Sequence, residues 1–189
     1  GSLYAYVGVL DPNGRVQWTN EAPLDAVKIE FDDIIDHYFW DAPWFQHSKD
    51  VSARVKAACE RAAAGESSRF KLTISIADDE AIIDLQVSPL RDAEGRVTHI
   101  IPTAVDISDR ERAMTELHDA KQLLESVIEN IPAMVFVKSA DDLRYTTLNR
   151  TGEELLGMSR HDLIGKNAYD FFSEDEAQRF EERDRLALS

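Results

Sequence analysis

Three runs in the middle of the chain alternate apolar and polar residues with a period of two, and the joints between them are too short for a crossover. In RFKLTISI, Phe70, Leu72, Ile74 and Ile76 alternate with Lys71, Thr73 and Ser75. AIIDLQVSPL repeats the pattern with Ile83, Leu85 and Val87, and GRVTHIIPTAV follows the turn around Asp92 to Gly95. Only antiparallel strands can be joined so tightly, since a parallel pair needs a dozen or more residues to return. Ahead of them, YAYVGVL (4–10) and RVQWT (15–19) flank Asp11, Pro12, Asn13 and Gly14. There Pro fixes φ and Gly accepts positive φ, which predicts a β-hairpin. A mixed acidic stretch from Asn20 to His47 carries short helical pieces and the cluster FWDAPWF; a longer helix follows from Ser48, as N-cap, to Ala64, with Gly65 as its stop. This order predicts an α+β fold, a five-stranded antiparallel sheet with helices on one face.

Between Asp106 and Ile131 the period becomes helical. Ala113, Leu117, Ala120, Leu124, Val127 and Ile131 are spaced 4, 3, 4, 3 and 4, and Met114, Lys121 and Ile128 widen the stripe. Such a seam serves either an amphipathic helix lying on its own domain or a parallel dimeric coiled coil, and both readings stand at this point. A continuous helix from Ile107 to Glu129 is expected, ended by Pro132. After Pro132 the chain restarts: AMVFVKSADDLRYTTLN is again strand, acidic turn, strand, leading into helical NRTGEELLGMSRHDLIG and NAYDFFSEDEAQRF. The three later strands have no counterpart, so the second copy reads as truncated.

Composition narrows the function. With 36 acidic against 21 basic residues the net charge is −15, which repels nucleic acid phosphates and anionic lipid. The single cysteine, Cys59, can form neither an internal disulfide nor a multi-thiolate metal site. No apolar run approaches the ~20 residues that span a bilayer. A cytoplasmic location is expected, with membrane attachment of a parent protein left open. Gly1–Ser2 reads as a cloning scar and the far end stops inside a helical pattern, so an excised fragment is expected.

DISDRERA at 106–113 resembles the Asp-Ile-Thr-x-Arg signature that closes PAS sensor domains. EELLGMSRHDLIGKNAYDFF is similar to the early helical part of that family, and SPLRDAEGRV to its last hairpin. Ser108 stands for the usual Thr, the first copy has DAVKIEFDD in place of an ExLxG helix, and FWDAPWF resembles a subset found in bacterial sensor kinases. The resemblance implies a PAS domain over 3–106, a signalling helix over 107–131 and the N-terminal half of a second PAS domain over 132–189. It implies a sensory module, most simply of a bacterial histidine kinase, that passes ligand or dimer state through the helix. A diguanylate cyclase, a chemoreceptor or a purely structural dimerisation module are the alternatives.

No phosphate-binding glycine loop or nucleophile elbow is present, so the segment is expected to be non-catalytic. The histidines lack metal-ligand spacing, and no metal is expected. His118 lies on the linker, but ELHDAKQ fits a kinase phosphoacceptor box poorly. Cys59 sits in KAACERAA rather than a flavin-adduct motif, and residues 48–64 contain no His for haem, so neither cofactor is expected. An unknown small molecule remains. The aromatic residues Trp18, Phe39, Trp40, Trp44 and Phe45 either fill the core or line a pocket. By similarity to the family, a pocket lies between the sheet and the short helices. Its candidates are Trp18, Trp40 and Trp44, the inward Ile83, Leu85, Ile100 and Ala104, and His37 and Arg54 as polar anchors. Asp106 and Arg110, four apart, are the candidate relay pair, fixing the helix exit at under ~1 kcal/mol. Homodimerisation is expected through the seam Ala113, Leu117, Ala120, Leu124 and Val127, and through the open edge of a strand at 133–139, with no nucleic-acid or membrane contact.

Overall fold

The computed structural model describes residues 5–76 and 79–187. The expected starts of the first domain at Leu3 and of its first strand at Tyr4 lie outside the described residues, as does the expected end of the second copy at Ser189. The chain divides into two compact units between Met114 and Thr115, inside the linker helix.

In the first unit, β1 (Ala5–Leu10), β2 (Val16–Thr19), β3 (Ser68–Ile76), β4 (Asp79–Arg91) and β5 (Val97–Asp106) form one sheet in the order β2-β1-β5-β4-β3. Every pairing is antiparallel, as the tight turns require. Between β2 and β3 come α1 (Glu21–Val27), three single 3₁₀ turns at Phe31–Asp33, Phe39–Asp41 and Pro43–Phe45, and α2 (Lys49–Ala63). Ser48 caps α2 by accepting from the Val51 amide, and Gly65 at φ 97° turns the chain away. The inward residues of the alternating strands, among them Leu72, Ile74, Ile83, Leu85, Val87 and Ile100, pack with Phe45, Val55 and Ala58 into one core.

The second unit takes in the later part of α3 (Ser108–Asn130), followed by β6 (Phe136–Lys138), β7 (Tyr145–Leu148), α4 (Arg150–Leu156), α5 (Arg160–Leu163), a 3₁₀ turn at Ala168–Asp170 and α6 (Glu174–Ala187). Its sheet has two strands among the described residues, around a small core of Tyr145, Leu148 and Leu163. The strand expected over 133–139 is confined to Phe136–Lys138. In the first unit β1 begins at Ala5 because β5 pairs with it from there, whereas among the described residues no strand stands in that place beside residues 133–135.

The internal repeat extends to individual hydrogen bonds. Asn20 accepts from the Val7 amide (2.9 Å) and donates to the Ala5 carbonyl (2.8 Å); Asn149 does the same with Val135 (2.9 Å) and Ala133 (2.8 Å). Arg15 reaches the Asp36 carbonyl as Arg144 reaches that of Gly165. Three left-handed backbone positions recur, each with glycine in one copy only: Gly14 (φ 86°) answers Leu143 (58°), Gly157 (66°) answers Lys28 (58°), and Gly165 (81°) answers Asp36 (58°). DAVKIEFDD therefore ends its helix as EELLG does, with Lys28 in the glycine's conformation. Asn149 also caps α4 by accepting from Gly152, whereas Asn20 caps nothing, because Pro23 stands at that place and has no N–H.

Candidate functional site

Between the sheet of the first unit and its short helical pieces lies a partly enclosed apolar cavity of about 50 Å³. Strand alternation aims Ile74, Ile83, Leu85 and Ala104 into it from below, while Val27, Phe39 and Trp44 close it from above. Among the described residues no charged side chain lines it. Of the two hydroxyl-bearing residues, Thr19 donates to the Val7 carbonyl, and the Tyr6 phenol is held above its ordinary pKa by burial and then by the Asp106 charge. The space offers a water few hydrogen-bond partners. It is several times smaller than the ~300 Å³ at which sites for larger ligands begin.

The structure separates the sequence candidates. Trp44, Ile83, Leu85 and Ala104 line the cavity; Trp18 does so from a half-exposed position. Ile100 is buried core outside the lining, paired across the sheet with Leu10 and Pro89. Trp40 faces away, stacked on Tyr38 at 4.6 Å with Lys56 above its ring, since Pro43 separates it from Trp44 and starts a new turn. The His37 Nδ1 lies 3.1 Å from the Ile35 carbonyl in an exposed turn. Arg54 lies over the Phe70 ring and donates to the Lys71 carbonyl. Neither His37 nor Arg54 anchors anything in the cavity. The roof from α1, including Pro23 and Val27, was not legible because that stretch has no clear apolar period. Cys59 is buried, which pushes its thiol up to about 12 and leaves it protonated at neutral pH.

One residue from the cavity wall, the backbone of β4 holds the root of α3. The Ile82 carbonyl accepts from the Ile107 amide (2.8 Å), and the Ile82 amide donates to Ser108 Oγ (2.9 Å). Lys71 on β3 pairs with Glu111 at 2.7 Å. Asp106 does not pair with Arg110 among the described residues. Its Oδ1 accepts from the Ser108 amide at 2.8 Å, capping the helix start, while the Arg110 charge helps hold the Asp84 carboxyl low, behind Arg69. The i,i+4 spacing fails because Asp106 is still strand. The substitution of Ser for Thr keeps the hydroxyl that binds Ile82.

At one pair of half-buried positions the second unit carries charges where the first is apolar. Lys138 stands at the position of Leu10, just before the turn, and Asp184 takes the place on α6 that Cys59 takes on α2, counting from Ser173 and Ser48. Lys138 Nζ meets Asp184 at 2.5 Å and lies 4.5 Å from the Tyr145 ring centre. Among the described residues no group of three or more His, Cys, Asp or Glu could hold a metal ion, and no helix is long and apolar enough to cross a membrane.

A family model described as PAS fold matches residues 1–112 and 128–189. The sensor histidine kinase TmoS of Ectopseudomonas mendocina is 30% identical over 151 residues, covering 75% of this chain and 16% of that protein. Hybrid signal transduction histidine kinase D of Dictyostelium discoideum is 27% identical over 156 residues, covering 81% and 10%. The chain spans only a small part of either relative. Among solved structures, an RNA-binding light-oxygen-voltage receptor superposes with a TM-score of 0.50 at 17% identity, covering 65% of this chain and 34% of that one. The PAS domain of Bordetella pertussis BvgS gives 0.48 at 21%, covering 62% and 87%.

Proposed function

The chain belongs to the PAS family in both of its units, and on that footing we propose that it is the sensory region of a signal-transduction protein, most simply a histidine kinase. In this reading the first unit takes a small, uncharged, apolar molecule into its cavity, and the pose of the α3 root depends on occupancy. The observation that carries it is the adjacency of Ile83 and Ile82: one side chain lines the cavity, and the next backbone unit bonds both Ile107 and Ser108. A ligand shifts such an equilibrium only by binding one pose better than the other, and a wall so close to the helix root offers that difference. The naming of both curated relatives as histidine kinases supports the parent's class. The strong negative charge and the lone buried thiol are compatible with a cytoplasmic setting.

Xenon, a small apolar atom that enters dry cavities, is a suitable probe of a space this size. Titration is expected to move the methyl resonances of Ile83 and Leu85 saturably, together with the amides of Ile107 and Ser108. Ala104→Phe, which fills the space, should abolish both responses. Absence of saturable shifts in the native chain overturns the ligand reading; methyl shifts without amide shifts overturn the relay.

A dimer reading rests on a second observation. All five seam residues are exposed, Leu117 at 72% and Leu124 at 59%, and α3 buries none of its residues. In a parallel in-register pair the same spacing sets Glu116 of one chain against Lys121 of the other. The edge of β6 away from β7, which pairs with no strand among the described residues and has Phe136 and Val137 exposed, is a second surface for a partner copy. The native chain is expected to sediment as a dimer and Leu117→Asp/Leu124→Asp as a monomer. A monomeric native chain, or a double variant that still dimerises, removes the seam.

A further inference from the structure

The two units share one fold, so positions at which only the second carries polar groups separate what the fold requires from what it adds. Asn149 is common to both copies, as Asn20. Thr151, Glu153 and Arg160 stand where the first unit has Ala22, Leu24 and Phe31. All of these added groups converge on the last turn of α3. The Arg160 guanidinium donates to both carboxylate oxygens of Glu129 and, through Nε and Nη2, to Oε2 of Glu153, whose Oε1 accepts from the Arg160 amide. The Arg150 amide donates to Glu129 at 3.0 Å and Thr151 Oγ1 to the Ile131 carbonyl at 2.9 Å. Asn149 Nδ2 adds the Ile128 carbonyl at 3.0 Å. The end of the helix, whose last carbonyls have no partner within it, is thus held by two side chains from α4 and its cap and by a forked guanidinium from α5.

We infer that the second unit carries a dedicated grip on the end of α3, with Arg160 as its positioning residue. The grip fixes the angle and rotation at which the helix enters this unit, as Ile82 and Ser108 fix its exit from the first. That it receives a signal rests on the relay reading above; that it holds the helix does not. The Arg160 bonds hold the Glu129 and Glu153 carboxyls below the usual range, so the grip should persist until strongly acid pH.

Amide hydrogen exchange on the full chain, without ligand, tests the grip independently of the relay. In Arg160→Ala, exchange at residues 127–131 is expected to rise about tenfold while β6, β7 and α6 keep their native rates. Arg160→Lys should fall between, because a point charge cannot hold two carboxylates by forked bonds. Thr151→Val, which removes one hydroxyl, should accelerate the same residues by less. Uniform acceleration through the second unit, outright unfolding of Arg160→Ala, or native exchange at 127–131 in both Arg160→Ala and Thr151→Val would each overturn the proposal.

Discussion

Asn149→Ala is expected to destabilise the second unit by on the order of 3 kcal/mol or more, and Asn20→Ala the first by about 1 kcal/mol, although the two residues hold the same place in the repeat. Asn149 is fully buried and makes four hydrogen bonds, accepting from the amides of Val135 and Gly152 and donating to the carbonyls of Ala133 and Ile128. Alanine leaves those four backbone groups without a partner where water does not readily reach. Among the described residues Asn20 makes two such side-chain bonds in a half-buried setting, and Pro23 removes the capping role. For a unit this small, ~3 kcal/mol is a large share of the total stability. The measurement separates the units cleanly, because Trp18, Trp40 and Trp44 all lie in the first. Asn149→Ala should lower the far-ultraviolet dichroism transition while the tryptophan fluorescence melt stays native. Equal costs for the two asparagines would show that the extra bonds count for nothing.

Lys138→Leu is the second large effect, expected to cost about 2–3 kcal/mol. Lys138 is 9% exposed and its Asp184 partner 24%, so removing the ammonium strands a largely desolvated carboxylate. The first unit shows that the fold does not need the pair, since Leu10 and Cys59 fill those positions within an apolar core. Lys138→Leu combined with Asp184→Cys should therefore recover most of the loss, giving a coupling well outside additivity in a denaturation cycle. A double variant no more stable than the single would mean that the pair stabilises outright.

Several features were legible without coordinates because they depend on local chemistry. The alternation of Ile74 with Ser75 and of Ile83 with Asp84, together with turns too short for a crossover, dictates the antiparallel sheet. Ser48 and Gly65 mark the ends of α2, and the repeat is visible in strand, turn and strand. Other features were hidden because the signal was a backbone conformation rather than a residue type. Lys28 and Asp36 adopt the left-handed region that glycine holds in the other copy, so the first copy looked less like its family than it folds.

Trp40 and Trp44 were both candidates for one pocket, and Asp106 and Arg110 for one pair, and the structure separates each couple for the same reason. Spacing places side chains together only inside one continuous element; Pro43 and the end of β5 each interrupt it. The sequence by itself determined period, turns, caps, the apolar stripe of α3 and the succession of strands and helices along the chain, all set within a few residues of chain. Only the tertiary structure decided that Val27 and Phe39 meet Ile83 over a cavity, that Ile82 holds Ser108, and that Arg160 holds Glu129. Those contacts join segments far apart in the chain, and their partners are fixed by packing between elements rather than by any local pattern.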